Sequence, residues 1–139
     1  MIIVVTGSRT IDRLSPEALY RLYLLADSPD APVIYHGGAK GADKAWRFAA
    51  NAFDIPHLPF IPDWKPDGHY DPEAGHVRNA LMIETAVRED KNAVLFTLWD
   101  GESTGTADCM KEAAARGVPI EHFGKEPRLA PSDLELFTS

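Results

Sequence analysis

Three short runs of small residues carry the chemistry of this chain. They are Thr6-Gly7-Ser8-Arg9, His36-Gly37-Gly38-Ala39-Lys40-Gly41-Ala42-Asp43 and Gly101-Glu102-Ser103-Thr104-Gly105-Thr106. Glycine lets the backbone turn with positive φ and lets a ligand approach the main chain. A helix start offers unpaired N–H groups and about half a positive charge, which makes it an anion site. The second and third runs each open into a helical pattern, and Ser8, Ser103, Thr104 and Thr106 add hydroxyls. Two such helix starts suffice for one phosphate and part of a sugar. The alternative is that these glycines only make tight strand-to-helix turns; three such runs on one edge of a sheet favour binding.

A fourth element is Gly75-His76-Val77-Arg78-Asn79. A cation near a helix start is mildly disfavoured by the helix dipole, unless an anion lies close by. The Arg78 guanidinium can clamp a phosphate bidentately and Asn79 can bond a ribose or a base; otherwise Arg78 is a surface cation paired with Asp71 or Glu73. Two roles fit Asp43: accepting ribose hydroxyls, or capping its helix. Arg9 and Lys40 are phosphate contacts or solvated charges. Trp64 either stacks on a base or packs its loop against the body.

Other chemistries find less support. The histidines 36, 57, 69, 76 and 122 form no metal-spaced set, so no metal is expected. Thr6-Gly7-Ser8-Arg9 is not a nucleophile elbow. The chain lacks both the Walker pattern and the Gly-x-Gly-x-x-Gly fingerprint, and no cofactor is expected.

The elements that must hold these residues alternate. Ile2 to Val5 reads as a buried strand. Ser15-Pro16-Glu17 starts a helix with an N-cap serine and a proline at the first helical position. Its buried face is expected at Leu19, Leu22, Tyr23 and Ala26. Strands follow at Pro32 to Tyr35, His57 to Ile61, Ala93 to Leu98 and Pro119 to His122. Helices are expected from about Gly41, from Pro72 or Glu73 to Val87, and from Ala107 to Arg116. Pro62 to Pro72 is a loop long enough to be suspected of function. The reading is an α/β fold: a single Rossmann-like domain over residues 1–123, with a mostly parallel five-stranded sheet and helices on both faces. Residues 124–139 form a tail, with one capped turn at Ser132 to Phe137. In such sheets ligands bind beyond the carboxyl ends of the strands, where all three glycine runs fall.

The chain has 139 residues, one domain's worth, and a formal net charge of −7. That charge disfavours nucleic acid, because polyanion binding needs clustered Lys and Arg. Cys109 is the sole cysteine, so no intrachain disulfide forms, which suits a reducing cytoplasm. The apolar residues 1–5 are too few for a signal peptide, and no run is long enough for a membrane span.

Together these motifs resemble the YspA-like branch of the SLOG superfamily, which also includes the Lonely Guy phosphoribohydrolases and the DprA-type DNA-processing proteins. The matching features are Thr6-Gly7-Ser8-Arg9, His36 to Asp43, Pro62-Asp63-Trp64, Arg78-Asn79 with Met82, and Trp99 to Thr106, which span nearly the whole chain. The resemblance implies a Rossmann-like fold and a nucleotide-related or ADP-ribose-related ligand. It implies contacts from the glycine loops, Arg78 and the Gly105-Thr106 helix start, and pairing as a homodimer. One departure matters. The Lonely Guy pattern Pro-Gly-Gly-x-Gly-Thr-x-x-Glu ends in a catalytic glutamate, and that position is Cys109 here. Adjacent Asp108 points about 100° away on a helix.

Three functions follow. The first is a binding or sensing domain for a nucleotide-derived small molecule. The second is a hydrolase or transferase acting on a nucleotide N-glycosidic or phosphate bond. In it Arg78 orients phosphate and Asp43, Asp108 or Glu102 serves as acid or base. The third is a DprA-type DNA-handling protein.

Overall fold

β1 (Ile2–Gly7) is the middle of the sheet, because its side chains are apolar on both faces. Ile3 and Val5 point to one side, Ile2 and Val4 to the other, and all four are buried. β2 (Val33–His36) and β4 (Val94–Leu98) flank it, and β3 (His57–Pro59) and β5 (Ile120–His122) form the edges. The order is β3-β2-β1-β4-β5, and every pairing is parallel. The structure is a computed structural model and describes residues 1–38 and 41–124. Ala39, Lys40 and the expected turn at Ser132 to Phe137 lie outside the described residues.

α1 (Pro16–Ala26) and α2 (Ala42–Ala52) cover one face, where Leu22 and Trp46 pack with Ile3, Val5 and Phe96. α3 (Ala74–Glu89) and α4 (Thr104–Ala115) cover the other, where Met82, Ile83, Cys109 and Met110 pack with Ile2, Val4 and Leu95. The chain winds outward from β1 to β3, then crosses back to β4. The switch point therefore lies between β1 and β4, at their carboxyl ends. Trp46 is fully buried, and its indole N–H donates to the Thr6 carbonyl at 3.2 Å, which ties α2 to the end of β1.

Several boundaries and one face differ from expectation. Ser15 caps α1 as expected, its hydroxyl accepting from the Ala18 N–H. The buried face, however, is Ala18, Leu22 and Leu25, while Leu19 and Tyr23 are exposed. β3 stops at Pro59, two residues early, and Leu58 on this edge strand is exposed. α3 starts at Ala74 and runs two residues past Val87. α4 starts three residues earlier than expected, because the Ser103 hydroxyl accepts from the Thr106 N–H and caps it. Among the described residues, no helix is long and apolar enough to cross a membrane.

Candidate functional site

The carboxyl ends of β1 and β4 open into a cleft of about 440 Å³. Its floor is Thr6, Gly7 and Asp43; one wall is Gly75, His76, Arg78 and Asn79 of α3; the other is Ser103, Thr104, Gly105, Thr106 and Asp108. Arg9 and Trp64 close the rim. A second hollow of about 310 Å³ adjoins it, sharing Arg9, Trp64 and Arg78 and adding Gly37, Gly38, Ile61 and Pro62.

The mouth of α4 faces this cleft. The first N–H groups of any α-helix lack intrahelical partners. Here the Ser103 side chain takes the Thr106 N–H and the Ser103 carbonyl takes that of Ala107. That leaves the N–H groups of Thr104 and Gly105 at the lip. A Cβ built on Gly105 meets nothing within 4 Å, so no packing inside the protein demands glycine there.

The mouth of α2 is different from the sequence expectation. The Ala42 N–H donates to the Ser8 carbonyl at 3.2 Å. Gly41 has φ +74°, and a Cβ there would meet the backbone of Arg9 at 2.5 Å. The first loop thus occupies this helix start, and Gly41 serves close packing rather than a guest. Among the described residues the Ala42 N–H is thus taken within the protein, while Asp43 of the same first turn lines the cleft.

Ser8 is also corrected: it is fully buried and does not reach the cleft. Its N–H donates to Leu98 and its carbonyl accepts from Ile11 and Ala42. Its hydroxyl accepts from the Asp100 N–H at 2.9 Å. Asp100 in turn shapes the third loop. Its carboxylate accepts from Thr10 Oγ1 at 2.7 Å and from the N–H groups of Glu102 and Ser103 at 2.8 Å. Those bonds, led by the one from Thr10, hold its pKa well below the usual carboxylate value. Glu102 stands exposed on this turn and does not line the cleft, which removes it from the acid/base candidates.

Arg78 lies across the second loop. Its Nη1 donates to the carbonyls of Gly37 (2.7 Å) and Phe60 (3.2 Å), and its Nε to Asn79 Oδ1 (2.8 Å). The expected alternative, a pairing with Asp71 or Glu73, is not what it makes. Gly37 is glycine for Arg78's sake: a Cβ there would sit 2.2 Å from Nη1. The oxygens it bonds are neutral, and the Asp43 carboxylate lies beside the same glycine. Asn79 is buried and passes the network on, its Nδ2 donating to Asp108 Oδ2 at 3.0 Å and to the Gly105 carbonyl at 3.3 Å. Trp64 stacks on Tyr70 (centroids 6.1 Å apart) and covers Gly75, so it both packs its loop and borders the cleft.

Sequence reading missed His76. Its Nδ1 lies 2.7 Å from Asp108 Oδ1, and its Nε2 lies 3.8 Å from Glu112 Oε1. The Asp108 hydrogen bond, foremost, raises the His76 pKa. The spacing of two acids on one helix, at 108 and 112, was the available signal; their partner comes from another helix.

A second pair supports the glycine loop from below. The Gly38 N–H donates to His36 Nδ1 (3.1 Å), and His36 Nε2 meets His57 Nδ1 (3.0 Å). Burial, and then the charges of His57, Arg47 and Arg78, lower the His36 pKa to about 4. Cys109 is fully buried beneath the cleft; burial first, then Asp43, pushes its thiol up to about 12.

The Gene 61 protein of Mycobacterium phage D29 is 32% identical to this chain over 136 residues, covering 90% of this chain and 98% of that protein. Two solved structures share the fold at low identity. DNA processing protein A from Helicobacter pylori, described by its single-stranded DNA binding mode, aligns with a TM-score of 0.62 at 17% identity, over 98% of this chain and 71% of that one. The X-ray structure of TM1055 aligns with a TM-score of 0.58 at 19% identity, over 86% of this chain and 71% of that one. At such identities these likenesses speak for the fold alone, which is Rossmann-like. No family model matches the chain.

Proposed function

The chain belongs to the family of the Gene 61 protein of Mycobacterium phage D29, and from its cleft we propose a binding or sensing domain for a phosphate-bearing, nucleotide-like or ADP-ribose-like small molecule. One observation carries the reading. Gly105 stands in the first turn of α4 with open space above it, at an unfilled helix mouth that faces Arg78 and Arg9 across the cleft. A glycine in a helix costs about 0.5–1 kcal/mol relative to alanine. A guest that rests on the main chain gives that cost a reason, and a phosphate is the guest a helix mouth and two guanidinium groups favour.

The remaining parts fit the same guest. Phosphate sits at the Thr104 and Gly105 amides with Thr106 beneath them, Asp43 accepts ribose hydroxyls, and Trp64 borders the adjoining hollow where a base or second sugar lies. The motif order supports a place in the YspA-like branch of SLOG-type folds. Retention of the ligand is favoured over turnover by Cys109: where the phosphoribohydrolase pattern has glutamate, this chain has a buried thiol with a raised pKa.

The test is mass spectrometry of whatever gently purified protein releases on denaturation. Melting is then followed with AMP, ADP, ADP-ribose and cyclic nucleotides. A nucleotide-like mass, or a saturable rise in melting temperature that Arg78→Ala abolishes, supports the reading. An empty site with no shift across the panel overturns it.

A further inference from the structure

At the outer rim of the cleft, α3 and α4 bring an imidazole between two carboxylates. Asp108 and Glu112 are four positions apart on α4 and so share one face, and His76 reaches them from the first turn of α3. One ligand atom from each of the three lies within 4.8 Å of the others. Each carboxylate is anchored by one oxygen and presents the other. Asp108 Oδ2 is held by Asn79 at 3.0 Å while Oδ1 faces His76 Nδ1; Glu112 Oε2 is held by Arg116 while Oε1 faces His76 Nε2.

The 3.8 Å between Nε2 and Oε1 is too long for a hydrogen bond but suits two ligands of one ion. Zinc–nitrogen and zinc–oxygen bonds of about 2.0–2.2 Å span such a gap at an angle of about 120–135°, wider than tetrahedral. The Nδ1 side then has the carboxylate partner that metal-bound imidazoles carry. One nitrogen and carboxylate oxygens suit zinc or manganese rather than a thiolate-seeking ion.

We propose that His76, Asp108 and Glu112 form a site for one divalent cation of the zinc or manganese class, with Glu112 and the imidazole Nε2 as ligands and Asp108 orienting the ring through Nδ1. His76 and Asp108 line the cleft and Glu112 does not, so the ion stands at the cleft's outer edge. The cation site stands without the nucleotide reading, because it is tested on protein free of ligand.

Protein stripped with chelator and dialysed is titrated calorimetrically with zinc chloride, manganese(II) chloride and magnesium chloride. The expected result is one zinc or manganese per chain, with magnesium much weaker. His76→Ala and Glu112→Gln each lower the affinity tenfold or more, whereas Glu17→Gln, an exposed carboxylate on α1, leaves it unchanged. His76 is half exposed, so its removal leaves the fold intact by circular dichroism. Absence of saturable binding by both zinc and manganese overturns the proposal. So does binding of equal affinity in the two variants. Either result leaves His76 as a histidine hydrogen-bonded to Asp108.

Discussion

Arg78 Nη1 stands 2.7 Å from the carbonyl oxygen of Gly37, in the space that a side chain at position 37 would need. The two residues are therefore a matched pair. Gly37→Ala drives the guanidinium off its two carbonyls at a cost of about 1.5–3 kcal/mol, the range for hydrogen bonds to a charged donor. Arg78→Lys does not restore them, because an ammonium lacks the planar fork. Urea unfolding measures the first effect. Titration with ADP-ribose or a mononucleotide measures the second, with an expected loss of at least tenfold.

Gly105→Ala separates stability from binding. The added methyl meets nothing and favours the helix, so the unliganded protein gains about 0.5 kcal/mol, or roughly 2 °C in melting temperature. The same methyl stands over the helix mouth, and nucleotide affinity falls. Loss of both, or gain of both, contradicts the placement of the guest.

His36 sets an acid limit on the fold. Its pKa falls from 6.5 to about 4 on folding, so between those values the unfolded chain binds more protons at this site. The contribution of neutral His36 is fully present above about pH 6.5 and is lost as pH falls toward 4. His76, whose pKa is raised, works in the opposite sense, contributing most at low pH. Urea midpoints at pH 7, 5.5 and 4.5 decrease in the parent, and His36→Gln flattens that slope. The depressed carboxylates of Asp90 and Asp100 act at lower pH and leave this window clear.

Cys109 is chemically silent in the folded protein. A thiol that is fully buried and titrates near 12 reacts with Ellman's reagent only after unfolding. Cys109→Glu does not install a phosphoribohydrolase. It buries a charge without a partner and destabilises the fold by several kcal/mol. Labelling with and without urea checks the first statement, and thermal melts check the second.

Asp100→Ala frees the third loop. Thr10, Glu102 and Ser103 lose their acceptor, at a cost of about 1–2 kcal/mol. The α4 mouth loosens, and nucleotide affinity drops although Asp100 is not among the residues lining the cleft.

The order of elements was legible because apolar strands and helix caps are local signals: Ser15-Pro16 marks α1 by side-chain chemistry alone. The face of α1 was not. Leucines and tyrosines occur around most of that helix, and small Ala18, which is fully buried, carries little weight in a hydrophobic count. The glycine runs located the cleft, because parallel strands put all their carboxyl ends on one edge. What glycine was for could not be read. Gly41 yields to the backbone of Arg9 and Gly37 to Arg78, whereas Gly105 stands open at the cleft. These are contacts between residues distant in sequence. The same holds for His76 and Asp108, which lie 32 positions apart.

Ser8 has no exposed surface, yet it fastens the ends of β1 and β4, the start of α2 and the turn at Asp100 to one another. Loops joined through one buried knot do not open singly. A guest arriving at this edge meets a receptor already assembled, and little ordering entropy is charged against its affinity. Amide exchange at Ala42 and Asp100 is then slow and moves together, whether or not the cleft is filled.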